Sequence, residues 1–448
     1  MAGLGVLARE AKHVPPVAGE QDAGAELLAL VRRLYPICRS ITGDGVRKTL
    51  SILSEYIAIR RIEVPTGMEV LDWTIPDEWN IRDAYIADPS GKRIVDFRSH
   101  SLHVVSYSVP VHQVMTMEEL RPHLHTLPDQ PDLIPYRTSY YNRNWGFCLS
   151  QRQLDSLGDG PFEVRIDSTL EAGSLTIGEI FIPGEIAEEI LISTHICHPS
   201  MANDNCSGLA IAAFIAARAE RAGLHHSLRI LFVPGTIGAL AWLALNEAET
   251  WRIAHGLVIT GLGDRGEFTY KRSRLGDAKI DRAAAHVLSR RGGNPKIIDF
   301  SPWGYDERQY CSPGFNLPVG RLTRSPHGEF PEYHSSADDL SFVSAEALEE
   351  ALVTIEEIIA AINQNRTYRS TNPKGEPRLG KYGLYRTLAG QSGAVPEMAM
   401  LWVLNLSDGR NSLLDIAQRS GQSFAEIKMA ADALHRAGLL EEASKRTA

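Results

Sequence analysis

Apolar positions follow three textures along the chain. Between Ala23 and Ile59 they recur every three or four residues, first at Leu27, Leu28, Leu30, Val31 and Leu34, then at Leu50, Ile52, Leu53 and Tyr56. That spacing marks helix faces. The interval 38–45 carries Ser40, Thr42 and Gly43, residues that turn and cap, so two helices about a short loop are predicted. Between 63 and 150 the runs become short and alternating, cut by Pro, Asp and Gly, as in 73–79, 84–91 and 102–109. This texture predicts an all-β module. From Phe162 onward strand patterns (162–166, 174–182, 190–194, 228–233, 257–260) are interleaved with helical ones (207–221, 237–245). A helix over 344–363, with Leu348, Leu352, Ile355, Ile358 and Ile359 on one face, closes the series. Strands alternating with helices predict an α/β fold, a mostly parallel sheet with helices on both faces.

Two stretches fall outside these textures. Residues 1–22 have no periodicity and are expected to be mobile. Residues 364–383, rich in Arg, Lys, Gly, Pro and Ser, read as a linker. Beyond it, helical patterns over 398–406, 412–420 and 423–434 precede Leu439 and Leu440, a helix-turn-helix with a short strand. The predicted organisation is an α/β domain from 23–62 and 151–363, an inserted β-module over 63–150, and a winged-helix-like domain over 384–448.

Charge narrows the partners. The 448 residues carry a formal net charge of -9, which opposes general affinity for nucleic-acid phosphates or anionic membranes. In the winged-helix-like region Asp408, Asp415, Glu426 and Asp432 balance Arg410, Arg419, Lys428 and Arg436, and no basic recognition face emerges. Packing or subunit contact, including a homo-oligomer, is the expected role of this domain rather than nucleic-acid binding. No stretch is long and apolar enough to span a bilayer, and 1–18 has no secretory pattern, so a cytoplasmic protein is expected. The five cysteines, Cys38, Cys148, Cys197, Cys206 and Cys311, are scattered and read as reduced thiols.

Candidate chemistry concentrates where the 190–194 strand stops. His195, Cys197, His198, Asn203, Asp204, Asn205 and Cys206 follow within a polar loop before the next helix. The carboxyl ends of parallel strands form the usual ligand crevice, and imidazole, thiolate and carboxylate are zinc ligands. The competing interpretation is turn chemistry alone, a His-Pro turn and an Asn-Asp-Asn run leading to a cap at Ser207. The β-module histidines His100, His103, His112, His123 and His125 match no ligand spacing and are expected to be solvated or locally satisfied. The polar stretch 136–145 is a candidate loop over a cleft.

The run Asn203-Asp204-Asn205-Cys206-Ser207-Gly208 resembles the co-catalytic zinc aminopeptidase family, which also contains the glutaminyl cyclases. In that family a strand-end His binds one zinc ion and the Asp of an Asp-(Asp/Asn)-x-Ser-Gly turn bridges two. The resemblance implies those roles for His195 and Asp204, although Cys197 stands where the family usually has a further Asp. His198 is left open as a replacement for, or supplement to, His195. The combination of Thr194-His195-x-Cys197-His198-Pro199 with Ala202-Asn203-Asp204-Asn205-x-Ser207-Gly208 is similar to an aminopeptidase-like branch associated with polysaccharide biosynthesis, in which a β-module is inserted near the N-terminus. Tyr333-His334-Ser335 with Asp338 resembles the segment holding the family's last zinc-binding His. The run 305–314 resembles a loop lining its substrate pocket, with Arg308 placed to pair with a carboxylate.

One position departs from the family. The family's strand here ends in a Glu pair, general base and zinc ligand, and the nearer branch keeps one Glu in Pro-Glu-Thr-Ile-Gly, where this chain has Pro234-Gly235-Thr236-Ile237-Gly238. Loss of an acid/base partner costs a factor of about 100 to 10,000 in rate. Asp264 is the only carboxylate near the strand end at Thr260 and Gly261 where a further ligand is expected. The resemblance thus implies a zinc-dependent hydrolase of a peptide or small amide, binding one or two Zn2+ through His195, Asp204, His334 and Asp264, with Glu307 or Glu332 as replacement base and Arg308 at the substrate. The alternative is a repurposed member in which His195, Asp204 and His334 form a mono-metal site for non-hydrolytic chemistry or small-ligand binding.

Overall fold

A computed structural model describes residues 23–384 and 395–443; the expected mobile segment 1–22 lies outside the described residues. At the centre is an eight-stranded sheet. In chain order its strands are β1 (Arg60–Pro65), β2 (Ser174–Ile182), β3 (Ile186–His195), β4 (His226–Val233), β5 (Ile253–Ile259), β6 (Thr269–Lys271), β7 (Lys296–Ile298) and β8 (Val319–Thr323). Their spatial order is β1-β2-β4-β3-β5-β8-β6-β7. The central strands β4, β3, β5 and β8 are parallel. On one side β1 and β2 run antiparallel, and on the other β6 is antiparallel to β8, making the sheet mixed around a parallel heart.

The pleat divides the molecule into two cores. Ile190, Ile192, Ile230, Phe232, Leu257 and Ile259 face one core, while Leu191, Leu231, Val233 and Val258 face the other. Successive strand residues point to opposite sides, so a strand apolar at every position must be covered on both. The longer helices about this sheet are α1 (Ala23–Leu34), α2 (Asp44–Leu53), α3 (Gly208–Ala222), α4 (Ile237–Leu245), α5 (Lys279–Leu288) and α6 (Ala345–Asn363). All except α4 contribute to the first core; α4 packs in the second, with the β-module. Ser344 caps α6, accepting from the Ala347 N–H, which satisfies a donor the helix leaves free.

The β-module centres on a four-stranded antiparallel sheet in the order Arg93–Asp96, Glu78–Ala87, Phe162–Glu171, Val111–Met115. The strand expected at 162–166 therefore belongs here, not to the main sheet. Its burial alternates from Phe162 to Ser168, the signature of a sheet with one covered face. Three of the module's histidines have local partners: His103 Nδ1 lies 2.8 Å from the Cys148 carbonyl, His123 Nδ1 3.0 Å from the Trp145 carbonyl, and His112 Nε2 3.2 Å from Glu163.

At the C-terminal end lie α7 (Glu397–Leu406), α8 (Leu413–Ser420) and α9 (Phe424–Arg436). Ser412 with Asp415, and Ser423 with Glu426, form reciprocal capping boxes that start α8 and α9. Gly421, at φ 69°, closes α8 in the left-handed conformation. The strands Asp408–Ser412 and Leu440–Glu442 flank a central strand, Thr367–Ser370. Residues 364–383, expected as a linker, thus supply the middle of this sheet and bury Leu379. The strand is only four residues long and lies among Arg, Lys and Pro, too short for a periodic signal.

This domain is docked, not tethered. Its apolar residues Met400, Val403, Leu414, Ile427 and Leu434 belong to the same buried cluster as α1, α3 and α6. From α5, Arg282 pairs with Asp415 at 2.5 Å, and from the turn after it Arg290 donates to the Gly421 carbonyl at 2.5 Å. Among the described residues no helix is long and apolar enough to cross a membrane.

Candidate metal centre

β3 delivers His195 to the carboxyl edge of the sheet, and the turn Ala202–Ser207 leads from there into α3. Asn205 Nδ2 donates to Thr194 Oγ1 at 2.6 Å and to the His195 carbonyl at 3.0 Å, tying the turn to the strand. Asn203 Oδ1 accepts from the Gly263 N–H at 2.7 Å, tying it to the loop after β5. The Asp338 carboxylate accepts the backbone N–H groups of Asn203 and Asp204 at 2.6 and 2.9 Å. With both neighbours committed to the scaffold, the Asp204 carboxylate faces the crevice.

Imidazoles surround that carboxylate. His195 Nε2 lies 2.9 Å from Asp204 Oδ1, and Oδ2 lies 3.2 Å from His198 Nδ1 and 3.3 Å from His334 Nε2. His195, His198 and Asp204 offer ligand atoms all within 4.8 Å of one another. Asp204 Oδ2 and His334 Nε2 are buried and make no hydrogen bond, as for lone pairs gathered about a shared centre. Nitrogen and oxygen donors in this mixture suit a borderline cation of the zinc class. The residues present therefore fit a metal ion.

The electrostatics of Asp204, His195 and His334 agree with ligation. Burial would push the Asp204 carboxyl up, but His198 and His195 outweigh it and hold the group well below its ordinary range. Burial lowers His195 and His334, favouring the neutral imidazole that ligates. At His198 burial opposes protonation, but Asp204 and Cys197 overcome it and raise the group. Aromatic rings close the surroundings: Tyr305 stacks on His195 with centroids 5.3 Å apart, Tyr333 on His334 at 3.9 Å, and Tyr136 meets His198 edge-on at 5.2 Å. The Tyr136 N–H donates to the His334 carbonyl at 2.8 Å, so the β-module stretch proposed as a loop over a cleft begins at the centre.

The predicted residues separate. His195, Asp204 and His334 converge; Asp264 does not join them. Its Oδ2 accepts from Asn203 Nδ2 at 2.9 Å, and its Oδ1 accepts from the Gly266 N–H and Ser325 Oγ at 2.7 and 2.8 Å. It braces the turn from behind. Glu307, expected as a base, is buried 2.6 Å from Lys271 Nζ and 3.8 Å from Arg321. Its carboxylate is thus already engaged by a cation as buried as itself. Arg308 lies with its guanidinium 5.9 Å from the Trp303 ring centroid, and Glu332 is half-buried in the turn carrying His334. Cys206 Sγ is met by Arg39 Nη2 at 3.1 Å, and Cys197 is buried against the Gly235 carbonyl.

A different carboxylate stands beside Gly235. A Cβ built there would lie 3.4 Å from His195 Cβ and 3.7 and 3.9 Å from the Asp306 oxygens. Asp306 is 1% exposed and neither oxygen has a hydrogen-bond partner. Burial, then the like charge of Glu307, pushes it up to about 8. Sequence reasoning passed over Asp306 although it sits in the pocket-loop run; its only signal there was adjacency to Glu307 and Arg308.

A family model described as "Domain of unknown function (DUF4910)" matches residues 28–365, and one described as "winged helix-turn-helix" matches 366–442. A protein of Clostridium acetobutylicum, named for polysaccharide biosynthesis and an aminopeptidase-like domain, is 51% identical over 426 residues, covering 95% of this chain and 98% of its own length. A crystal structure from the same organism, classed by name with the peptidases, matches with a TM-score of 0.89 at 51% identity, over 94% of this chain and 96% of that one. At 11% identity a zinc aminopeptidase of Bacillus subtilis shares the fold, with a TM-score of 0.56 over 78% of this chain and 96% of its own. The chain belongs to the DUF4910 family, on an aminopeptidase-like fold followed by a winged helix-turn-helix domain.

Proposed function

We propose that the protein is a metal-dependent hydrolase acting on a peptide or small amide, with Zn2+ held by His195, His198, Asp204 and His334. The observation that carries this reading is the buried Asp204 carboxylate with imidazole nitrogens at 2.9, 3.2 and 3.3 Å on the carboxyl edge of the sheet. The family context supports it: the C. acetobutylicum relatives carry aminopeptidase-like and peptidase names. When bound, the ion would polarise the substrate carbonyl and make water acidic enough to attack.

The chain's own residues divide the remaining work. Asp338 and Asn205 fix the turn that orients Asp204, and Tyr305 and Tyr333 hold the imidazole planes. Gly235 leaves that strand end without a carboxylate, and Asp306, buried and unpartnered beside it, is the group we assign to accept, in its ionised form, the proton of the attacking water. The wall of Tyr136, Tyr305 and Tyr333 excludes water around the scissile bond.

Gly235 also favours a second reading, in which the centre binds one metal ion and a small amide ligand, or performs non-hydrolytic chemistry, without hydrolysis. Bound metal and turnover of aminoacyl amides separate the two. Protein purified without chelator should carry zinc and cleave such amides, and Asp204→Ala and His334→Ala should lose the metal. Metal retained by wild type without turnover on any aminoacyl amide points to the second reading; no metal under any loading condition sinks both.

A further inference from the structure

The opposite end of the sheet also carries a cavity. At the amino ends of β3, β4 and β5, opposite the metal centre, a cavity of 320 Å³ lies between the α/β unit and the winged-helix domain. Its floor holds His226, first residue of β4, and His255 of β5, with rings 5.5 Å apart. They are 8% and 6% exposed, and the Nδ1 atom of each is buried without a hydrogen-bond partner. A polar atom so placed normally has a partner from protein, water or ligand.

Four cationic side chains line the same cavity: Lys279 and Arg282 from the first turn of α5, Arg366 before the Thr367–Ser370 strand, and Arg410 from the C-terminal domain. Two are committed, Arg282 to Asp415 and Arg366 to Glu442 at 3.4 Å, and Glu188 lies 3.8 Å from His226. Among the described residues no ion pair engages Lys279 or Arg410. Burial, then His225 and the cations Arg366 and Lys279, hold His226 down to about 4; burial, His226 and Lys279 hold His255 at about 3. In a chain of net charge -9 this is a local excess of positive charge over unsatisfied polar atoms.

The remaining geometry indicates the size of the ligand. A neighbouring cavity of 670 Å³ shares His225 and Arg366 with the first and is lined further by Tyr368 and Lys428, leaving room for an organic body beyond an anionic head. Enclosure between two packed units excludes a duplex. We propose that this junction binds a small phosphorylated metabolite, its phosphoryl group held by Lys279, Arg410 and the His226–His255 pair. Its walls come from both units, so the ligand ties the winged-helix domain to the α/β unit.

Calorimetric titration of the full chain at fixed ionic strength tests this with inorganic phosphate and ribose 5-phosphate as probes. Ribose 5-phosphate should bind about tenfold more tightly than inorganic phosphate. Lys279→Gln with Arg410→Gln should weaken both about tenfold or more, the scale of two lost charge-assisted contacts, while Lys92→Gln with Lys374→Gln, two exposed cations elsewhere, should leave them unchanged. Asp204→Ala should bind as wild type. Equal weakening in both double variants, loss of binding in Asp204→Ala, or no preference for the sugar phosphate overturns the proposal. Independently of any variant, ribose 5-phosphate should protect Lys279 of wild-type protein from amine acylation; an unprotected Lys279 overturns it too.

Discussion

Asp204 and Asp306 are both buried aspartates, yet their surroundings make them different reagents. The Asp204 carboxyl is held ionised by imidazoles, whereas Asp306 faces, among the described residues, no cation closely enough for an ion pair and is raised to about 8. Asp306→Asn preserves volume and removes only proton exchange. Metal content should hold while turnover falls by a factor of about 100 to 10,000, the usual weight of a general acid/base; metal loss in this variant would make Asp306 a ligand instead. Glu307 supplies the contrast. Glu307→Gln leaves Lys271 buried without its counter-charge, which costs about 3–5 kcal/mol, read as a lower denaturation midpoint. Turnover per folded molecule should change little. A loss of about a hundredfold or more in the folded fraction would restore Glu307 as the base.

At the scale of elements, the β-module is fastened to the α/β unit by defined contacts. Arg47 of α2 donates to both oxygens of Glu78, at 2.7 and 2.6 Å, and so joins the helix to the Glu78–Ala87 strand. The Arg47 hydrogen bonds hold the Glu78 carboxyl down to about 2. A carboxyl lowered on folding stabilises the protein above its unfolded value, about 4.3, and that contribution is lost as pH falls through about 2. Glu78→Gln should therefore cost about 1 kcal/mol at pH 7, after solvent screening of this partly exposed pair. The gap between variant and wild type should narrow between pH 4 and pH 2 in acid titrations followed by circular dichroism; a gap constant across that window would assign the loss to packing.

At the scale of the whole molecule, the start of the winged-helix domain's second motif helix is tied to the α/β unit. In DNA readers the N-terminal residues of the second helix of the motif reach base edges. Here the turn before α9 is held by Arg290 through the Gly421 carbonyl, and Glu426 in the first turn of α9 lies 3.9 Å from the same guanidinium. The full chain should show no duplex-DNA binding at about 150 mM salt, where non-specific phosphate contacts are largely screened. Sequence-specific retention of a duplex under those conditions would mean that the domain undocks.

Much of this was legible in the order of residues. Periodicity is local, so the helices at Ala23–Leu34, Gly208–Ala222 and Ala345–Asn363, the buried central strands and the helix-turn-helix follow from the chain itself. That His195, Asp204 and His334 would lie together was legible because their motifs are short and chemically distinctive. What depends on distant partners was not. Phe162–Glu171 pairs with Glu78–Ala87 because of its register and one-sided burial, and Thr367–Ser370 became a strand because Leu440–Glu442 and Asp408–Ser412 return to flank it. Asp264, Glu307 and Asp306 are alike in a sequence; folding set the first against Asn203, the second against Lys271, and left the third without a partner beside Gly235. The chain specifies which side chains can ionise or ligate, but their free energies depend on the charges and donors that folding places within a few ångströms, and only the tertiary structure decides those.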